Sequence, residues 1–292
     1  MSDSRFRLFA SLEPGDRFWT NELANYGPDE LVTRILSDYY KNSRKSAERA
    51  KERLQLQSKE KLLHEVGMSR GRFIEPDSAE WPHGLDDLLA PPIGLVVRGK
   101  MPRCLSVAIV GTRNPTTYGA RIASEFASGF ADRDIEVISG GAYGIDTHVH
   151  RGALAAEGRT IAVLASGIEA GYPAGNERLF EEIGESGALI SEVMPFESAR
   201  PERFLTRNRL IAALARCTIV VEAAFRSGSL RTARDAAELL RIVLAVPGPI
   251  NSPTSDGCHR LIGERCAEIV TSVPDAMELI SSYQCTLCTD DS

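Results

Sequence analysis

The sequence predicts an α/β protein, a doubly wound parallel sheet preceded by a small all-helical N-terminal domain. Three observations predict it. Beyond about residue 101, short β-branched runs alternate with helical stretches of about ten to sixteen residues. The loops after those runs are rich in glycine and serine. Ahead of residue 92 helix formers dominate instead, and a proline-rich connector separates the two regimes.

The N-terminal region comes first in the chain. Residues 29–67 place apolar side chains at helical spacing, at Leu31, Ile35, Leu54, Leu62 and Leu63, which predicts an all-helical segment. Within it residues 41–61 carry eight basic and three acidic side chains, the pattern of a solvated helix face. Residues 75–103 then bring five prolines and no sustained period, which predicts a structured connector. The expected division is a helical domain with its connector over 1–91, the α/β domain over 92–284 and a tail over 285–292.

The strand candidates are residues 107–110, 136–139, 160–165, 188–193, 217–223 and 242–247. Apolar strands alternating with helices form a parallel sheet covered on both faces, and such sheets bind ligands beyond the carboxyl ends of their strands. The loops there have the composition of anion sites. Gly111, the pair Gly140 and Gly141, and the stretch from Ser227 to Ser229 are small residues that let backbone amides approach a phosphate, with helix N-termini behind them. Arg113 follows Gly111 by two positions. Arg207 and Arg209 flank Asn208 at what reads as the start of a helix, where cations oppose the macrodipole unless an external anion shares the end. Phe204 precedes them and offers a ring for stacking. From residue 197 to 241 nine arginines stand against five acids, inside a chain whose formal net charge is −6.

Composition bounds the function. At 292 residues, 43% hydrophobic and 25% charged, the chain can bury a large core in one or two domains. No run approaches the ~18 apolar residues of a membrane span and the first residues lack an apolar leader segment, so a cytoplasmic protein without membrane contact is expected. Six cysteines are too sparse for a disulfide scaffold, and reduced thiols are expected. In "GIDTHVH", Asp146 and His150 share a helix face while His148 points elsewhere; a hydrogen bond between the first two is expected rather than a metal site. "CTLC", with Cys285 and Cys288, has no second cysteine pair to complete a zinc site. No metal and no cofactor are expected. A nicotinamide enzyme would need G-x-G-x-x-G after the first strand, and an ATPase G-x-x-x-x-G-K-[ST]; neither occurs. Glu222, at the end of the fifth expected strand, is the one acid placed for hydrolysis, and it has no evident partner for acid/base work.

The motifs "GTRNPTTYG", "SGGAYGIDTHVHRGAL", "GRTIAVLASGIEAGYPAGN", "LISE", "FLTRNRLIAALA", "VVEAAFRSGSLRTARDAAELLR" and "VPGPINSPTSDGCHRLI" follow one another over roughly residues 80 to 280. Their order resembles that of the DNA-processing protein A family (DprA/Smf). The resemblance implies an extended Rossmann-like domain, with SAM-like N-terminal helices, that binds single-stranded DNA and homodimerises. It implies a protein that protects incoming strands and loads the RecA recombinase during natural transformation (competence), without catalysis. It places DNA contacts on Arg113, Gly140, Gly141, Arg207, Asn208 and Arg209, with Phe204 as the aromatic before the arginine pair. Many relatives carry lysine in the "YPxxN" loop; here Gly175 stands there and Arg178 is the basic residue nearby. Many also carry a C-terminal winged-helix domain, which this sequence is expected to lack. The alternative reading is a nucleotide phosphoribohydrolase similar to the lysine-decarboxylase-like family, whose "PGGxGTxxE" loop is replaced here by "VPGPINSPTSDG".

Overall fold

In the computed structural model, which describes residues 2–41, 44–102 and 105–282, helix begins almost at once. α1 (Asp3–Ser11) starts where the Ser2 hydroxyl accepts a hydrogen bond from the Arg5 amide, supplying an acceptor that first-turn amides lack. α2 (Arg17–Leu36) is capped by Asp16 and breaks at Gly27, whose φ of 74° leaves the helical region just ahead of Pro28. α3 (Ser46–Leu56) and α4 (Lys59–Met68) complete the N-terminal set. Leu31, Ile35, Leu54 and Leu62 of the expected apolar set are buried, whereas Leu63 is exposed. The basic run is an outer face: Ala47, Ala50 and Leu54 of α3 point inward, and Lys51 and Arg53 pair with Asp38 and Glu13.

The rest of the chain runs β1 (Arg72–Ile74), β2 (Leu95–Gly99), β3 (Ser106–Val110), α5 (Thr117–Ala131), β4 (Glu136–Ser139), α6 (Ile145–Ala155), β5 (Thr160–Leu164) and α7 (Glu177–Ser186). It continues through β6 (Ala188–Ser191), α8 (Pro201–Leu214), β7 (Cys217–Val220), α9 (Gly228–Glu238), β8 (Ile242–Ala245), α10 (Asp256–Gly263), β9 (Glu268–Ile269) and α11 (Val273–Ser282). One sheet takes all nine strands in the order β1-β2-β6-β5-β4-β3-β7-β8-β9. From β6 to β9 every pair is parallel, and β2 runs antiparallel to both β1 and β6.

All six expected strands are present, and the fold is the expected doubly wound α/β sheet. Three strands were not anticipated. β1 and β2 lie in and before the stretch read as connector, so the sheet reaches back to Arg72. β9 has two residues, both exposed.

Helices cover both faces. Leu210 and Ile211 of α8, Leu230 and Ala233 of α9 and Leu261 of α10 pack with Val110 and Val220 on one side. Phe126 and Phe130 of α5, Val149 of α6 and Ile280 of α11 pack with Ile109 and Ile219 on the other. Phe6 and Phe9 of α1 and Leu62 of α4 join Val96, Leu164 and Leu189 in a further cluster, with the Phe6 ring stacked 4.5 Å from that of Phe73. The N-terminal helices are thereby seated on the β2–β6 end of the sheet.

The winding reverses beside β3. From β3 the chain steps outward through β4, β5 and β6, then returns to lay β7 and β8 against the opposite side of β3. The loops leaving β3 and β7 therefore diverge, and the crevice between them is where doubly wound sheets hold ligands.

Candidate nucleic-acid interface

That crevice is present, with a volume of about 220 Å³. Gly111 and Arg113 from the β3 loop, Ala142 and Asp146 from the β4 loop and α6, and Ser227, Gly228 and Ser229 at the start of α9 line it. Phe204, Arg207 and Asn208 of α8 close the remaining side.

The three glycine and serine loops are shaped more by packing than by room for a ligand. A Cβ on Gly111 would sit 2.5 Å from the Ile145 side chain, and one on Gly140 2.5 Å from the Arg207 guanidinium. Gly141, with φ of 68°, would place a Cβ 2.6 Å from the Phe180 ring. The β3 loop is tied down by the Thr112 amide, which donates to the Glu222 carbonyl at 2.7 Å. The Ser227 hydroxyl caps α9 by accepting from the Ser229 amide, 3.3 Å away. The Asn208 side-chain amide donates to the Gly228 carbonyl at 3.2 Å, so α8 holds the start of α9 in place. Among the described residues the Arg113 and Gly228 amides have no intramolecular acceptor.

The arginines sort into two kinds. Arg113 is exposed, pairs with no acid among the described residues, and lays its guanidinium over the Phe204 ring at 5.0 Å from the centroid. Phe204 is half-buried and meets Tyr172 edge to face at 5.5 Å. Arg207 is buried. Its Nη1 donates to the Gly140 carbonyl at 2.5 Å and to the Val163 carbonyl, cross-linking the ends of β4 and β5. Burial pulls its pKa down to about 10, against the pull of Asp146 and with a further push from Arg113. Burial likewise drives the Asp146 carboxyl above the usual carboxylate range, although Arg207 and the Ala142 amide favour its charged form. Among the described residues, the result is a crevice with the unpaired Arg113 cation at its mouth and a partly compensated charge pair in its floor.

Several expectations change. α8 begins at Pro201, so Arg207 and Arg209 sit in mid-helix and the argument from an opposed macrodipole does not apply to them. Arg209 turns away from the crevice: its Nη2 donates to both Glu192 carboxylate oxygens at 2.6 Å, and it lines a separate cavity of about 650 Å³ with Gly15 and Asp87. Arg178 is outside the crevice too, almost fully exposed and paired with Glu182 one helical turn on. Asp146 and His150 do not bond to each other. The His150 Nδ1 meets the Thr160 hydroxyl at 2.7 Å instead, and burial lowers its pKa to about 3. Glu222 does not line the crevice; it accepts from the Thr116 amide at 2.9 Å and from the Thr116 hydroxyl at 2.6 Å, holding the cap of α5. Cys285 and Cys288 fall outside the described residues, and among the described ones no group of three acids, histidines or cysteines could hold a metal.

Two supports were not anticipated. Asn176 is buried and donates to the Gly141 carbonyl at 3.0 Å, so the "YPAGN" loop orders the β4 loop. Glu13 accepts from Arg200 at 2.8 Å and from Arg203 at 3.1 Å, so the segment after α1 braces the first turn of α8.

The comparisons with known proteins agree with this architecture. The sequence model described as DNA recombination-mediator protein A matches residues 72–281. The chain belongs to that family. A putative DNA processing protein DprA of Mycobacterium tuberculosis is 45% identical over 225 residues, which cover 72% of this chain and 58% of that protein. The chain thus spans little more than half the length of that relative. The DNA processing protein DprA of Streptococcus pneumoniae is 40% identical over 68% of this chain and 70% of its own length. The X-ray structure of that protein superposes with a TM-score of 0.80 at 30% identity, covering 95% of this chain and 98% of the other. A structure of DNA processing protein A from Helicobacter pylori, described for its single-stranded DNA binding mode, gives a TM-score of 0.65 at 29% identity over 74% of this chain and 99% of its own. The family match begins at Arg72, the first residue of β1, and so takes in the antiparallel end of this sheet as well as its parallel core.

Proposed function

We propose that the protein binds single-stranded DNA in the crevice between β3 and β7 and acts as a non-catalytic DNA-processing and recombination-mediator protein. The observation that carries the reading is Arg113: an exposed guanidinium without an acid partner among the described residues, stacked on Phe204, at the topological switch point of the sheet. A strand threading the crevice meets that cation and the free amides of Arg113 and Gly228 with its phosphates. Its bases meet the Phe204 and Tyr172 rings, a contact open to every base because each has a π face. Arg207 and Asn208 serve by holding the walls, and Arg209 by anchoring α8 on Glu192.

The same geometry supports a reading without catalysis, since the acid placed for hydrolysis, Glu222, accepts from Thr116 outside the crevice. Family membership supports the wider role: a homodimer that shields the strand and delivers it to the RecA recombinase during natural transformation, in the cytoplasm. Among the described residues no helix is long and apolar enough to cross a membrane. The test is competition between labelled single-stranded and duplex oligonucleotides in a gel shift, alongside light scattering for mass. Preference for the single strand and a mass of twice the 31.8 kDa chain support the reading. Equal affinity for duplex, or release of base from nucleoside monophosphates, overturns it.

A further inference from the structure

The crevice is shorter than the row of exposed rings in which it lies. Taken in sheet order, the loop after β6 presents Phe196, the loop after β5 Tyr172, the loop after β4 Tyr143 and the loop after β7 Phe225. Each of these rings is between 49% and 52% exposed, and apolar surface gathered in one row, unlike singly scattered residues, marks an interaction surface. The β3 loop, in the middle of the row, presents Arg113 in place of a ring. Five adjacent strands span about 19 Å at normal sheet spacing, all on the carboxyl rim.

The far end of the row resembles its centre. Phe225 carries the Arg260 guanidinium 4.5 Å from its centroid, as Phe204 carries that of Arg113. Arg226, the next residue, is exposed and has no acid partner among the described residues. Ser227 follows at once and belongs to the crevice wall, so Phe225 and Arg226 continue the same surface toward β8.

We propose that Phe225 and Arg226 form a distal subsite for one further nucleotide of a single strand that crosses the rim in sheet order, its base on the Phe225 ring and its phosphate on Arg226. The proposal rests on the single-strand reading of the crevice. A row of rings also suits a protein partner, but this one carries Arg113 in its middle and Arg226 at its far end, neither paired with an acid among the described residues, and it adjoins the crevice through Ser227, which favours a polyanion.

The test is the affinity of oligothymidylates of increasing length for the full chain and for Phe225→Ala, Arg226→Ala and Arg113→Ala. Oligomers short enough to fill only the crevice should bind the parent and Phe225→Ala equally. Longer ones should bind Phe225→Ala about fivefold or more weakly, and Phe225→Trp should keep the parent's affinity. Arg226→Ala should flatten the salt dependence by about 0.7, for the longer oligomers alone. Unchanged affinity of Phe225→Ala at every length overturns the subsite, as does a loss of dimer mass in that variant with the length dependence intact. Arg113→Ala separates the two claims: if it weakens binding at all lengths while Phe225→Ala never does, the crevice reading stands and the subsite falls.

Discussion

Arg207→Ala distinguishes a brace from a ligand contact. In the folded protein this guanidinium is buried and donates to the Gly140 and Val163 carbonyls, with Asp146 as the carboxylate that favours its charge. Truncation leaves the two strand-end carbonyls without their donor and a buried acid without its compensating cation. Removing one member of such a set costs roughly 3 to 5 kcal/mol. At about 2 to 4 °C per kcal/mol for a large domain, the melting temperature should fall by roughly 6 to 20 °C. Thermal unfolding followed by circular dichroism measures the fall, and fluorescence anisotropy with a labelled single strand measures binding at a temperature where both proteins are folded. A variant that melts with the parent but loses affinity, with a salt slope lower by about 0.7, would refute the bracing role and return Arg207 to the phosphates.

Glu222→Ala removes the acceptor of the Thr116 amide and hydroxyl, and a loss of about 1 to 3 kcal/mol is expected in denaturant unfolding; hydrolysis of nucleoside monophosphates by the parent that Glu222→Gln abolishes would contradict this structural role. His150 should shape the acid limb of stability. Its folded pKa, about 3, lies below the usual 6.5, so between those values the unfolded chain binds the extra proton and stability falls as pH drops. The fall should approach 1.4 kcal/mol per pH unit, and His150→Asn should remove that share of the slope, as urea unfolding across the same range would show.

The six central strands were legible because they are short apolar runs bounded by glycine turns, and a parallel sheet needs little else to declare itself. β2 was not, because "LVVRG" is embedded among prolines and pairs antiparallel with a strand about ninety residues later. Strand-end logic brought the Gly111 loop with Arg113 toward Ser227 and Ser229, and the resemblance added Phe204; the structure lines one crevice with all of them. Arg207 and Arg209 were legible as a pair but not as buried and outward-turned side chains. The available signal was Pro201, which suits the first position of a helix and moves both arginines into its middle. The contacts of Glu13 with α8 and of Asn176 with Gly141 join residues 187 and 35 positions apart, a separation that no local pattern encodes.

The most direct test of the account is the salt dependence of single-stranded DNA affinity for the parent and for Arg113→Ala, measured with the melting temperature of each. An exposed cation that contacts phosphate should weaken binding of every sequence when removed and lower the slope of log affinity against log salt by about 0.7. Stability should stay within about 0.5 kcal/mol of the parent, because among the described residues the Arg113 side chain meets only the face of Phe204. A variant with unchanged affinity and salt slope would contradict the account and remove the crevice between β3 and β7 from the path of the DNA.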